Sequence, residues 1–265
     1  MNTRKRAALA APALGLGLVL AAAGPAAAAD GSVQGTLTPV PVNGVDGSGS
    51  AMIEITGTTL SFTLAAQGLL DGAPHAAHIH YGEDSRNMCP TEADNTAEAL
   101  EGESDPSQHL TTTETAPAYG PIVVSLTTSG DTSPDSGLAV DRFSSDGTFE
   151  YSRADVEVTP EVAEDILSGE AAVVVHGVDH DGDGTYSMGE RGVSDLDPSL
   201  PGEATDPALC GVLEVSQMSG MPSGGVDTGG GSTAGAEYAG LIGAGALAAV
   251  GGVVLLSRRR VAAEH

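Results

Sequence analysis

Between residues 30 and 217 the apolar side chains recur at every second position, in segments that stop within a few residues at Gly, Asp, Pro or Ser. The segments are 33–37, 52–55, 60–64, 78–80, 122–126, 149–151, 173–175 and 212–215. Neighbouring side chains of a strand point to opposite faces, so each segment suits one buried and one wetter face. Eight such segments with turn residues between them predict an all-β fold, a Greek-key β-sandwich or barrel of about eight strands. Its core must be built from small residues, because the whole chain has 37 Gly, no Trp, three Phe and five Tyr. Only TPEVAEDIL predicts a helix, with Thr159 as N-cap, Pro160 in the first turn and acids after it. Residues 83–120 are acidic, Thr-rich and without apolar period, which predicts a long insertion loop.

The two ends read as addresses. Residues 1–29 carry Arg4, Lys5 and Arg6, an apolar stretch and a small-residue run, the pattern of a secretory signal peptide. Residues 218–238 form a Gly/Ser/Thr linker. Residues 239–256 are uncharged and predict a transmembrane or sorting-signal helix, followed at 257–265 by an Arg-rich tail that belongs in the cytoplasm. The Thr228-Gly229 step, the apolar span and the Arg tail together resemble a sortase cell-wall sorting signal. Gly225 and Val226 stand where that signal has Leu-Pro, so both membrane and cell wall stay open as the site of attachment. The folded domain, 30–217, is thereby expected on the extracellular face.

Charge removes one class of partner. From Asp30 to Thr228 there are 34 acidic residues against four Arg and no Lys. Nucleic-acid affinity comes from Lys and Arg displacing counterions, so nucleic acid is excluded. Cys89 and Cys210 are the only two cysteines, and in an exported chain they are expected to pair, pinning the acidic loop to the last strand.

Six His fall in the domain: His75, His78, His80, His109, His176 and His180. His78 and His80 are two apart on a strand, so both rings share a face. Neutral imidazoles in that arrangement suit Cu, Zn, Ni or Fe, with Cu(II) held most tightly. GLLDGAPHAAHIHYGED resembles the stretch of Cu/Zn superoxide dismutases that carries two copper ligands. AAVVVHGVD resembles the strand that delivers a later copper ligand, and PALCGVLEV the final strand with its disulfide Cys. The same H-x-H and later His resemble the chordin-type CHRD domain. The likeness runs over residues 50–217. It implies copper on His78, His80 and His176, with His75 holding the loop before the strand. Zinc is not implied, because residues 83–120 contain only His109 where the family's zinc subloop has several His and an Asp. His109 is a further, more distant candidate for the metal. Pro207 stands where the family has the Arg that attracts superoxide, and His180 where it has an outer Asp. The expectation is therefore copper binding with slow or absent dismutation.

A second motif follows His176. Residues 179–190, DHDGDGTYSMGE, satisfy the calcium-loop pattern D-x-D-x-D-G-x5-E. Asp179, Asp181 and Asp183 would supply oxygens, Thr185 its carbonyl, Ser187 a direct or water-mediated contact, and Glu190 a bidentate closure. A weaker version spans 103–114, with Asp105, Ser107 and Thr111 at ligand positions. The sequence thus supports a surface-anchored metal-binding domain with copper and calcium as ions. The alternative is a non-catalytic, calcium-stabilised adhesion or binding module of CHRD type.

Overall fold

The computed structural model describes residues 29–216 apart from 99–100, 103–104 and 190. The leader, the linker, the C-terminal span with its Arg tail, and Glu190 lie outside the described residues. Among the described residues no helix is long and apolar enough to cross a membrane.

The period-two segments become nine strands. They are β1 (Ala29–Pro39), β2 (Ser48–Gly57), β3 (Thr59–Gln67), β4 (Ala77–His80), β5 (Ile122–Ser125), β6 (Thr148–Glu157), β7 (Ala172–His176), β8 (Pro207–Val212) and the two-residue β9 (Glu214–Val215). Every pairing is antiparallel, in the order β5-β4-β7-β8-β1-β2-β3-β6, with β9 beside β1. β3 pairs with β6 and β4 with β7, so the chain crosses between two halves of one curled all-β sheet, as a Greek key requires. β1 belongs to both halves: most of it pairs with β2, while Thr38 and Pro39 pair with β8. That corner needs glycine. A Cβ on Gly35 would lie 2.9 Å from the Val212 carbonyl oxygen, and one on Gly211 would collide with that of Thr36. The edges β6 and β5 are not paired to each other. Side chains bridge the gap instead: Tyr151 Oη donates to the Leu126 carbonyl at 2.5 Å and Arg153 to the Thr127 carbonyl at 3.0 Å.

Alternation sets the core. Ala51, Ile53 and Ile55 of β2 and Leu60, Phe62, Leu64 and Ala66 of β3 point inward, where they meet Ala77 and Ile79 of β4 and Val173 and Val175 of β7. β4 and β7 are buried on both faces. Their other faces carry His78, His80, Ala172, Val174 and His176. A strand with no wet face needs a second cover, and Cys89, Leu110, Tyr119 and Phe143 contribute to it. A smaller cluster of Val40, Leu110, Tyr119, Ala172, Val174 and Cys210, with Cys89 against it, forms there.

Part of that cover corrects the expectation of a loop over 83–120. Thr112–Tyr119 is a helix, α1. Thr111 caps it and Glu114 reaches back to the cap, a capping box that satisfies two orphan donors reciprocally. The predicted helix forms as α2 (Pro160–Leu167), capped by the Thr159 hydroxyl and burying Ala163 and Ile166. A third, one-turn helix, α3, spans Gly202–Thr205. The segment at 212–215 also differs from expectation. The last long strand begins at Pro207 and breaks at Leu213 before β9; buried along nearly all its length, β8 shows no alternation to mark it.

Candidate metal centre

His78 and His80 share one face of β4, and the antiparallel register sets β7 beside them. The His176 amide donates to the Ala76 carbonyl at 2.8 Å, so residue 176 lies diagonally from His78 on that face. Ring centroids are 5.6 Å apart for His78–His80, 5.2 Å for His78–His176 and 6.2 Å for His80–His176. One ring nitrogen from each lies within 4.8 Å of the other two.

Each ring is oriented by a backbone carbonyl. His78 Nε2 is 3.0 Å from the Gly137 oxygen, His80 Nδ1 2.8 Å from that of Gly120, and His176 Nδ1 2.7 Å from that of Thr205. A carbonyl only accepts, so these nitrogens carry the hydrogen and the opposite nitrogens keep a lone pair. Those opposite atoms, His78 Nδ1, His80 Nε2 and His176 Nε2, are sealed from solvent and have no hydrogen-bond partner. A buried polar atom without a partner costs about 1–3 kcal/mol. Three such atoms on three clustered rings are what a shared cation resolves, so the donor set fits a metal ion. Burial holds all three rings neutral: His80 is lowered from the usual 6.5 to about 3, first by desolvation and then by the neighbouring His176. His78 and His176 are lowered too, again chiefly by desolvation.

The surroundings lock this arrangement. Tyr119 of α1 lies 4.5 Å from the His80 ring and Phe143 lies 5.6 Å from His78, centroid to centroid. His75 sits behind the site, its ring nitrogens 3.0 Å from the His176 carbonyl and 2.8 Å from that of Leu70. Thr205, which orients His176, is followed by buried Asp206. That carboxylate accepts a forked pair of bonds from buried Arg191 and a third from His180 Nε2 at 2.9 Å. Sequence reasoning missed Arg191 and Asp206. The available signal was scarcity: in a domain with four Arg and no Lys, a retained cation has a structural task. A buried ion pair adds little net stability, yet it fixes where its chain segment lies.

His109 is not brought to the triad. Its ring lies 4.1 Å from that of His180, tilted by 60°, and it is not one of the three clustered donors.

The acidic loop folds as nested turns. Asp179 accepts from the amides of Gly182 and Gly184, Asp181 from that of Asp183, and Asp183 from that of Thr185. Asp179 and Asp181 cluster with Glu203 of α3, one oxygen of each within 4.8 Å of the others. Asp183 stands outside that cluster, and Glu203 was not a sequence candidate. The Glu203 carboxylate is buried, accepts the amides of Ser187 and His180, and has its pKa raised first by burial. Ser187 Oγ reaches Asp181 at 3.4 Å. The weaker motif at 103–114 is used differently: Thr111 caps α1 and Asp105 accepts from Ser107 in a 3₁₀ turn.

A cavity of about 420 Å³ opens over the three histidines, and the three carbonyl-bearing residues Gly120, Gly137 and Thr205 line it beside them. Among the described residues the one charged side chain that lines it is Asp135.

Comparison with known proteins adds three findings. The family model described as CHRD domain matches residues 27–184, more than half of the chain. No curated protein matches it. Among solved structures it is similar to Candida albicans superoxide dismutase 5 in a Cu(II) form, at 12% identity and a TM-score of 0.35, over 71% of this chain and 94% of that one. A point mutant of the same enzyme matches at 11% identity and a TM-score of 0.31, over 71% and 90%.

Proposed function

We propose, for a chain that belongs to the CHRD domain family, that it is an exported copper-binding domain in which His78, His80 and His176 hold one ion. The observation that carries this reading is the buried His78, His80 and His176 group, one ring nitrogen of each within 4.8 Å of the others, with one nitrogen of every ring left without a partner. Three neutral imidazoles suit several late transition metals, and among these Cu(II) binds most tightly. Copper so held supplies a centre that alternates between two oxidation states. The polypeptide does the rest. The carbonyls of Gly120, Gly137 and Thr205 fix each tautomer, and the low ring pKa values remove proton competition. Tyr119 packs on the His80 ring and Phe143 on that of His78.

Dismutation of superoxide is slow in this reading, because among the described residues no Lys or Arg lines the cavity and Asp135 does. An anion approaching an acidic wall is opposed rather than steered. Purified protein titrated with Cu(II) is expected to take up one ion per chain, retained against equimolar Zn(II). Superoxide consumption by that copper-loaded protein should fall well below the diffusional ceiling of about 10⁹ M⁻¹s⁻¹. Absence of stoichiometric uptake would sink the proposal. The leader and the C-terminal span support export and attachment to membrane or wall as part of the same reading.

A second reading, calcium stabilisation, is favoured by the Asp179, Asp181 and Glu203 cluster. Calcium takes carboxylate oxygens, and a ligand at a hundred times its Kd adds about 2.7 kcal/mol to stability. Millimolar calcium is expected to raise the melting temperature, and Asp181→Asn to abolish most of the rise. An unchanged melting curve in calcium would remove this reading and leave the copper proposal standing.

A further inference from the structure

We propose that the cavity above the three histidines receives a neutral, largely apolar small organic molecule that presents one nitrogen or oxygen donor toward the rings. This rests on the metal-binding reading above and adds the ligand class. Its volume of about 420 Å³ lies within the range of roughly 300–1,000 Å³ typical of small-molecule sites. It is many times the roughly 30 Å³ share of a water molecule, and a diatomic oxygen species would leave it mostly empty.

The walls define the chemistry. Ala116, Tyr119, Pro121, Ile122, Leu138 and Leu196 supply apolar surface. Leu138 and Leu196 remain 38% and 47% exposed, large aliphatic side chains held in water in a strongly acidic domain. The hydroxyls around the cavity are already engaged. Thr112 Oγ1 donates to the Thr205 carbonyl at 2.6 Å, Tyr119 Oη is 2.7 Å from Thr115 Oγ1, and Thr205 Oγ1 is 2.7 Å from Ser194 Oγ. A sugar or other polyol would therefore find few donors, and an anion would find Asp135 and no cation. An apolar molecule suits these walls, and its nitrogen or oxygen lone pair is matched to the ion that His78, His80 and His176 would hold.

The test compares 4-phenylimidazole, imidazole and azide on copper-loaded protein, read by the Cu(II) visible band and electron paramagnetic resonance. The phenyl compound is expected to bind at least about tenfold tighter than imidazole, from burial of its ring, with azide weakest. Ala116→Trp, which fills the cavity, and Leu196→Asp, which makes its mouth polar, should each reduce that ratio below about twofold. Leu196 is exposed, so this variant decides the matter if the tryptophan variant fails to fold. A ratio near one in the unaltered protein, or a ratio unchanged in Leu196→Asp, overturns the inference. Methyl resonances of Ile122 and Leu138 in metal-free protein separate the two claims. If copper is not taken up but 4-phenylimidazole shifts those methyls and imidazole does not, the cavity stands and the metal reading fails. If copper is absent and the methyls do not move, both fall.

Discussion

Replacing His176 by Ala is expected to lower Cu(II) affinity by more than about a hundredfold, because the loss of an outer partner alone typically costs ten- to a hundredfold and His176 is a direct donor. The two rings on β4 come from one strand and stay together, but His176 comes from β7 and closes the group. Without it, His78 and His80 offer two nitrogens on one side only. His109→Ala is the matched control: its ring lies against His180 and it is not one of the three clustered donors, so affinity should be unchanged. Competition with a chelator of known affinity measures both. The metal-free His176→Ala protein should still melt cooperatively, since the core formed by β1, β2, β3 and β6 is untouched. Equal affinities in the two variants would mean that copper is held elsewhere.

The site was legible where the code is local and obscure where it is not. H-x-H reads directly, because positions two apart share a strand face. His176 reads as the end of an apolar strand, but only family resemblance connected it to the H-x-H. The carbonyls that orient the rings were invisible. Gly137, Gly120 and Thr205 lie 59, 40 and 29 positions from the His they hold, and a carbonyl belongs to every residue. The acid paired with Asp179 and Asp181 was missed for the same reason. The loop motif names Glu190 by spacing, a residue outside the described ones, and carries no hint of Glu203, which the fold brings from α3 to Asp179 and Asp181. At the level of the fold, the alternating strands β2 and β3 declared themselves, while β8, buried on both faces, had no period to read. Helix α1 hid behind Pro117 and buried threonines, Thr112 and Thr115. Its capping box, Thr111 with Glu114 three residues later, was the signal to have used.

Removing the disulfide by Cys89→Ala with Cys210→Ala is expected to cost about 4–5 kcal/mol, the chain-entropy value for a loop of this length. The bond joins residues 121 apart, so it restrains nearly two-thirds of the domain in the unfolded state. For a domain of this size each kcal/mol shifts the melting temperature by about 2–4 °C, which predicts a fall of roughly 8–20 °C. The loss has a local consequence as well. Cys89 and Cys210 sit in the cluster with Leu110 and Tyr119, and the Tyr119 ring packs on His80. Cutting the tether therefore loosens the cover of the histidine face before it disturbs the strands that carry the rings. Hydrogen exchange should show α1 opening ahead of β4 and β7 in the cysteine-free protein. Copper should be bound more weakly there, yet still in a manner that His176→Ala abolishes. A melting shift below about 3 °C would show that packing around Tyr119 holds this cover without the covalent bond.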